Sequence, residues 1–212
     1  GFKDPQACLL LSRIYSELGD PVQAEAARAS ADNCVPERAE SWIARGVSKA
    51  NTDPEQAIRD FDTALSLNSN SLAALESKAS VLAEILRRTQ DAVVVLDRAV
   101  RLFPESGEMR AVRGVLHARL NQSPQAIEDA DWALRLDQSP AVTYQVAGIY
   151  ALLAKGSEAC GDKATQLLAS ALISGYGADL LDADPDLWPI RDLPDFKRLR
   201  DAFCVLELMS AE

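Results

Sequence analysis

The side chains best suited to chemistry are few and far apart in this sequence. The cysteines are Cys8, Cys34, Cys160 and Cys204, none of them in a C-x-x-C pair, and His117 is the only histidine. A zinc site needs three or four such ligands close together, so we expect no metal site. Isolated thiols in a helical chain are typical of a reducing compartment, and we expect a cytoplasmic protein.

One further cluster could in principle do chemistry. Asp182, Asp184 and Asp186 have the spacing that opens a calcium loop. That loop also requires glycine at its sixth position and glutamate at its twelfth, where this chain has Leu187 and Leu193. We therefore expect a solvated turn in which the carboxylates cap backbone N–H groups.

Nothing in the sequence indicates catalysis. It contains no glycine-rich phosphate loop, no G-x-S-x-G elbow and no kinase signature. His117 falls within a predicted helix, where we expect a packing or groove residue. Cys8 and Cys34 fall near the ends of two antiparallel helices, which leaves two interpretations, a disulfide or two small packing residues. We expect no enzyme and no cofactor.

Composition excludes several kinds of partner. The 212 residues carry a formal net charge of −10, which repels phosphate backbones and anionic lipid. No apolar run approaches the roughly 20 residues of a membrane span, and no signal-peptide pattern is present. We therefore expect neither nucleic acid nor membrane as a partner. Because the chain lacks an initiator Met, we also expect it to be part of a longer protein.

A repeat of about 34 residues runs through the chain. One alanine column falls 33, 35, 34 and 38 residues apart, and a second follows seven residues behind it in every copy. Such a fixed period is the sequence signature of stacked supersecondary units. The two columns are Ala24, Ala57, Ala92, Ala126 and Ala164, and Ala31, Ala64, Ala99, Ala133 and Ala171.

Helix starts are marked by a capping residue followed by proline, because the side-chain oxygen accepts a free N–H and proline lacks one. These dipeptides begin at Asp4, Asp20, Asp53, Ser123 and Ser139. Together with the alanine columns they predict five helix pairs. We place these at 5–18 with 21–33, 37–50 with 54–67, 71–87 with 90–102, 107–119 with 124–136, and 140–154 with 162–174.

Between residues 5 and 174 the chain resembles the tetratricopeptide repeat (TPR) family. Besides the period and the alanines, the matching residues are Trp42, Tyr144, Phe61, Pro36, Pro104 and the small residues Ser12, Gly46, Ala79 or Ser80, Gly114 and Gly148. The resemblance implies an all-α, right-handed α-α superhelix of about five hairpins with a C-terminal capping helix. We assign residues 1–177 to the repeat array and 178–212 to the cap.

The resemblance also implies a function, since members bind peptides along the first helices of their repeats. Only one residue of the predicted groove is basic and none is asparagine, so a carboxylate-terminated chaperone tail is not expected. Carried over by position, the groove residues are Leu9, Arg13, Ile43, Val47, Glu76, Ser80, Ala111, Val115, Gln145 and Ile149. We expect a scaffold with an apolar groove for a peptide or helix of a partner protein.

Two alternatives to this scaffold remain open. The tail resembles those that close repeat arrays in large bacterial proteins such as planctomycete-type serine/threonine kinases, through Asp184–Leu187, Ile190, Arg191, Pro194 and Phe196. That resemblance implies the non-catalytic C-terminal regulatory region of a larger enzyme. The other alternative is a self-association module, which would form a homodimer.

Trp132 stands apart from the groove. It occupies the repeat position at which other copies carry Thr63 and Arg98, which favours an exposed convex face. We weigh two interpretations for its indole, a contact with a partner or packing against a neighbouring helix or the turn near Lys155.

Overall fold

The computed structural model describes residues 5–33, 36 and 38–210, and within them all regular structure is helical. The predicted all-α fold of consecutive helix pairs followed by a capping helix is confirmed. The α-helices are α1 (Pro5–Glu17), α2 (Pro21–Asn33), α3 (Ala39–Lys49), α4 (Pro54–Leu67), α5 (Leu72–Ser80), α6 (Thr89–Leu102), α7 (Gly107–Arg119), α8 (Ser123–Leu136), α9 (Pro140–Leu153), α10 (Glu158–Ile173) and α11 (Pro194–Ser210).

One predicted helix is interrupted. The helix expected at 71–87 is α-helical only to Ser80 and continues as a π-helical turn over Val81–Ile85. The N–H of Leu86 closes this turn on the carbonyl oxygen of Val81, 3.0 Å away. Arg87 follows with a φ of 56°. This is the left-handed backbone region, which residues with a Cβ rarely adopt.

Most predicted helix caps are present. The Asp20 and Asp53 carboxylates each accept the N–H three residues ahead at 3.0 Å, and the Ser139 hydroxyl accepts that of Val142 at 3.4 Å. The predicted cap at Ser123 is wrong, because Ser123 is the first residue of α8. Gln122 occupies the N-cap position there, and its side chain makes no capping hydrogen bond. Asp4 lies outside the described residues.

The chain divides into two compact units, Gly1–Ala99 and Val100–Glu212, and the division falls within α6. In the first unit α1 packs against α2, α3 against α4, and α3 also contacts α1 and α5. In the second unit α7 packs against α8 and α9, and α9 against α10. Each unit therefore contains neighbouring first helices, the elements on which the groove residues were placed.

Small residues allow the helices of a pair to approach closely. In the second pair a Cβ added to Gly46 would lie 2.6 Å from Cε1 of Phe61, closer than carbon atoms can pack. The alanine columns serve the same contact, since nine of the ten alanines are at most 1% exposed and Ala24 is 8% exposed. This burial confirms the repeat register read from the sequence.

The register can be tested at one column. Replacing the fully buried Ala126 with leucine should lower the free energy of unfolding by about 1–3 kcal/mol, because the added carbons must displace a close-packed helix. The control is Gln125→Leu, one residue earlier on the exposed side of α8, which should be nearly neutral. Urea denaturation measures both, and equal midpoints would contradict this register.

The C-terminal segment covers the last helix pair. Two 3₁₀ turns, Ala178–Leu180 and Pro185–Ile190, lead into α11, and the segment contacts both α9 and α10. Leu187, Ile190 and Phe196 are fully buried in one cluster with residues of the fifth pair. The segment thus caps the second unit, while the domain boundary at residue 177 stays a prediction.

Removing one side chain from this cap should show how much it stabilises the second unit. Phe196→Ala leaves a cavity in the apolar cluster and should lower the free energy of unfolding by about 3–5 kcal/mol. Trp188→Ala removes a larger ring from the same segment, but this ring is exposed and should cost less than about 1 kcal/mol. A Phe196 variant as stable as the Trp188 variant would show that the segment only lies on the surface.

Candidate partner-binding surfaces

The first unit holds the more accessible part of the predicted groove. Leu9, Ile43 and Glu76 are half-buried on the neighbouring helices α1, α3 and α5. Arg13, Val47 and Ser80 are exposed on the same three helices. Val47 has 55% of its surface exposed, so an apolar side chain on this face is free to contact a partner.

The predicted groove needs a correction in the second unit. Ala111 and Ile149 are fully buried and cannot contact a ligand from the surface. Ile149 is enclosed because it packs against α7, the first helix of the preceding pair, with Cδ1 only 2.6 Å from where a Cβ on Gly114 would stand. Val115 and Gln145 are half-buried. On this face the second unit therefore offers little apolar surface.

Charge contributes little to the groove face of the first unit. Arg13, its only cation, forms an exposed ion pair with Glu17, 3.1 Å from Nε to Oε1. An exposed pair of this kind is worth at most about 1 kcal/mol and neutralises the guanidinium locally. Besides this pair, the half-buried Glu76 is the other charged residue among the predicted groove positions of the first unit.

Sequence reasoning missed part of the apolar surface on α1. Leu10 is 59% exposed and Ile14 is 40% exposed, and they lie one turn apart beside Leu9 and Arg13. The signal was available, because apolar residues four apart share one helix face. These two residues fall outside the positions that repeat through the family pattern, and carrying sites over by position therefore omitted them.

Two buried ion pairs at equivalent repeat positions brace the second and fourth helix pairs. Arg45 donates two hydrogen bonds of 2.8 and 2.7 Å to the Asp60 carboxylate. Arg113 donates two hydrogen bonds of the same lengths to the Asp129 carboxylate. Both carboxylates are almost fully buried. A sequence signal was also present here, because each arginine directly precedes a glycine and each aspartate follows three residues after a column alanine.

Breaking one of these pairs should destabilise the chain strongly. Asp129→Asn leaves the largely buried Arg113 guanidinium without its carboxylate and should lower the free energy of unfolding by about 3 kcal/mol. The control is Asp131→Asn on the same helix, whose carboxylate is half-exposed and 3.8 Å from Lys163. It should cost at most about 1 kcal/mol. Similar denaturation midpoints for the two variants would argue against bracing by the buried pair.

Trp132 is exposed, as the convex-face interpretation expects. The residue is 41% exposed, and two guanidinium groups lie near its ring, Arg110 at 5.2 Å and Arg135 at 5.4 Å from the ring centre. Both contacts have cation–π geometry. A contact with a partner remains a prediction for this residue, while the structure shows its packing with the two arginines.

His117, Asp184 and Asp186 each have a structural partner. His117 is buried, with Nδ1 2.6 Å from the Gln122 amide oxygen. Asp184 caps the N–H of Asp186, and Asp186 holds Arg119 through two hydrogen bonds of 2.9 and 2.8 Å. The described residues contain no cluster of three potential metal ligands. The predicted alternatives for Cys8 and Cys34 cannot be compared, because Cys34 lies outside the described residues.

Tyr144 is a buried acid with a displaced pKa. Burial, and then the carboxylate of Asp184, raise the pKa of its phenol above the usual range. Tyr176 packs edge-on against its ring, with centroids 5.7 Å apart. The raised pKa keeps the phenol neutral. The contact between the two rings links α9 to the turn that follows α10.

Comparison with known proteins finds solved structures with a similar fold. No protein-family description matches the chain, and no curated protein matches its sequence. A tetratricopeptide repeat protein from Parabacteroides merdae superposes with a TM-score of 0.64 at 18% identity, covering 99% of this chain and 79% of its own. A TPR protein of Thermus thermophilus gives 0.60 at 21%, covering 95% and 99%. YrrB, described as a TPR protein with an unusual peptide-binding site, gives 0.52 at 17%, covering 83% and 94%.

Proposed function

We propose that this chain, which has the tetratricopeptide-repeat fold of these structural neighbours, is a non-catalytic protein-interaction module. It binds a peptide or a helix of a partner protein along the first helices of its first unit. The observation that carries this proposal is that the first helices α1 and α3 leave large apolar side chains exposed, Leu10 and Ile14 on α1 and Val47 on α3, with Leu9 and Ile43 half-buried on the same helices. The peptide-binding site described for YrrB supports this type of ligand.

The apolar character of this face favours a partner segment that is itself apolar. An apolar segment gains free energy by removing these side chains from water, at about 25 cal/mol per Å². Burying about 400 Å² would supply on the order of 10 kcal/mol before the entropic costs of association, which corresponds to a micromolar-class complex. Because the one local cation is paired, affinity should depend only weakly on salt.

The two alternatives differ from this proposal in the larger protein or assembly to which the module belongs. A regulatory region of a larger enzyme, such as a kinase of the planctomycete type, would use the same face for a partner or for its own catalytic domain. Self-association would use it for a second copy of the chain.

Among the described residues, no helix combines the length and apolar character that a membrane crossing requires.

The groove proposal can be tested with one charge. Val47→Asp places a carboxylate in the middle of the apolar face and should reduce partner capture at least about tenfold, since an unpaired charge must be desolvated on binding. The matched control is Val22→Asp on α2, where the valine is even more exposed, at 74%. Both variants should keep the helical circular dichroism of the parent, since neither valine is buried.

The readout is affinity capture from the source cells with parent, Val47→Asp and Val22→Asp protein, compared by quantitative mass spectrometry. A partner retained by the parent and by the Val22 variant but lost with the Val47 variant supports the proposal. Equal retention by all three would place binding elsewhere, and the face around Trp132 would then be examined. Sedimentation velocity at several concentrations distinguishes self-association, which Val47→Asp should abolish if a second copy is the ligand.

A further inference from the structure

A second candidate site lies in the first unit, away from the groove. Helices α4, α5 and α6 enclose a cleft with a cavity volume of about 390 Å³. Leu65 and Leu75 form its buried apolar floor, and Val94 stands at its side with 61% of its surface exposed. A volume of this size is within the range of ligand pockets in proteins.

The cleft and the groove lie on different faces of α5. At 100° per residue, the directions of Leu75 and Lys78 average about 150° away from those of Glu76 and Ser80. The first two residues line the cleft, and the last two belong to the predicted groove. Both surfaces can therefore be occupied at the same time.

The polar residues of the cleft carry an excess of positive charge. Lys78 contacts the carboxylate of Asp62, 2.5 Å from Nζ to Oδ1. Arg98 donates from Nη2 to the backbone carbonyl of Ser69, also at 2.5 Å. Within the described part of the chain, Arg98 forms no ion pair with a carboxylate. Two cations thus face one carboxylate, and the Arg98 guanidinium keeps donors for a further acceptor.

We propose that this cleft binds an acidic segment of a partner protein in which an apolar side chain is flanked by carboxylates. The apolar side chain lies on Leu65 and Leu75, and a neighbouring carboxylate binds between Lys78 and Arg98. The chain as a whole carries a net charge of −10 and repels acidic segments over most of its surface. Local positive charge beside an apolar floor therefore gives this cleft selectivity for such a ligand.

The test uses two blocked pentapeptides as probes, acetyl-Ser-Glu-Leu-Glu-Ser-amide and its glutamine counterpart acetyl-Ser-Gln-Leu-Gln-Ser-amide. Methyl-labelled protein is titrated with each peptide and followed by NMR. We expect the acidic peptide to shift the methyl signals of Leu65, Leu75 and Val94 saturably, and to bind at least about threefold more tightly than the neutral one. This difference should shrink in high salt.

Three variants make the assignment specific. Arg98→Gln should weaken binding of the acidic peptide to the level of the neutral one. Asp62→Asn should strengthen it, because the protein carboxylate that competes for Lys78 is removed, and a merely structural role for Asp62 predicts no such gain. Val47→Asp in the groove should leave binding unchanged, so failure of the cleft and failure of the groove are distinguishable.

Several results would overturn the proposal. These are the absence of shifts at the three cleft methyls, equal affinity for the two peptides, or an Asp62→Asn variant that binds no more tightly than the parent. Shifts confined to the Val47 methyls would assign the acidic peptide to the groove instead. Because the comparison of the two peptides uses the unmodified chain, the test stands even if a variant folds poorly.

Discussion

Close approach of the two helices in each pair is the constraint on which the rest of the structure depends. At Gly46 the facing Phe61 ring occupies the space that a Cβ would need, and at Gly114 an added Cβ would lie only 3.1 Å from the Cβ of Asp129 on the partner helix α8. The column alanines are buried at the same contacts. Once these small residues face inward, helical periodicity decides which side chains remain outside. The apolar face around Val47 and the cleft beside Lys78 are both consequences of that register.

The helix pairs could be predicted from sequence because each depends on local signals that recur in every copy. Alanine spacing fixed the register, and Asp53 with its following proline marked a helix start that the structure confirms. Ser123 shows the limit of such signals, since there the helix begins one residue earlier relative to the same capping pattern. The π-helical turn after Ser80 carries no comparable pattern, because its hydrogen bonds depend on how the neighbouring helices pack.

The surface was harder to predict than the fold. Transferring groove positions from one repeat to another assumes that equivalent residues meet equivalent neighbours. Ala111 and Ile149 violate that assumption, because in the second unit the first helices α7 and α9 pack closely and enclose them. Leu10 and Ile14 violate it in the opposite direction, since they are exposed at positions that the family pattern does not use. Burial of a side chain depends on contacts between distant residues, which a repeat pattern does not specify.

The use of arginine explains how one acidic chain can offer two surfaces of different character. Arg45 and Arg113 are committed to buried aspartates inside the helix pairs, and Arg13 is paired with Glu17 at the groove. The groove face is therefore left mainly apolar, so under the proposed function contact area and fit would determine which partner it accepts. At the cleft, Arg98 is held by a backbone carbonyl rather than a carboxylate, so its charge remains available. Selection by fit on one face and by charge on the other would allow the chain to hold two different protein segments together.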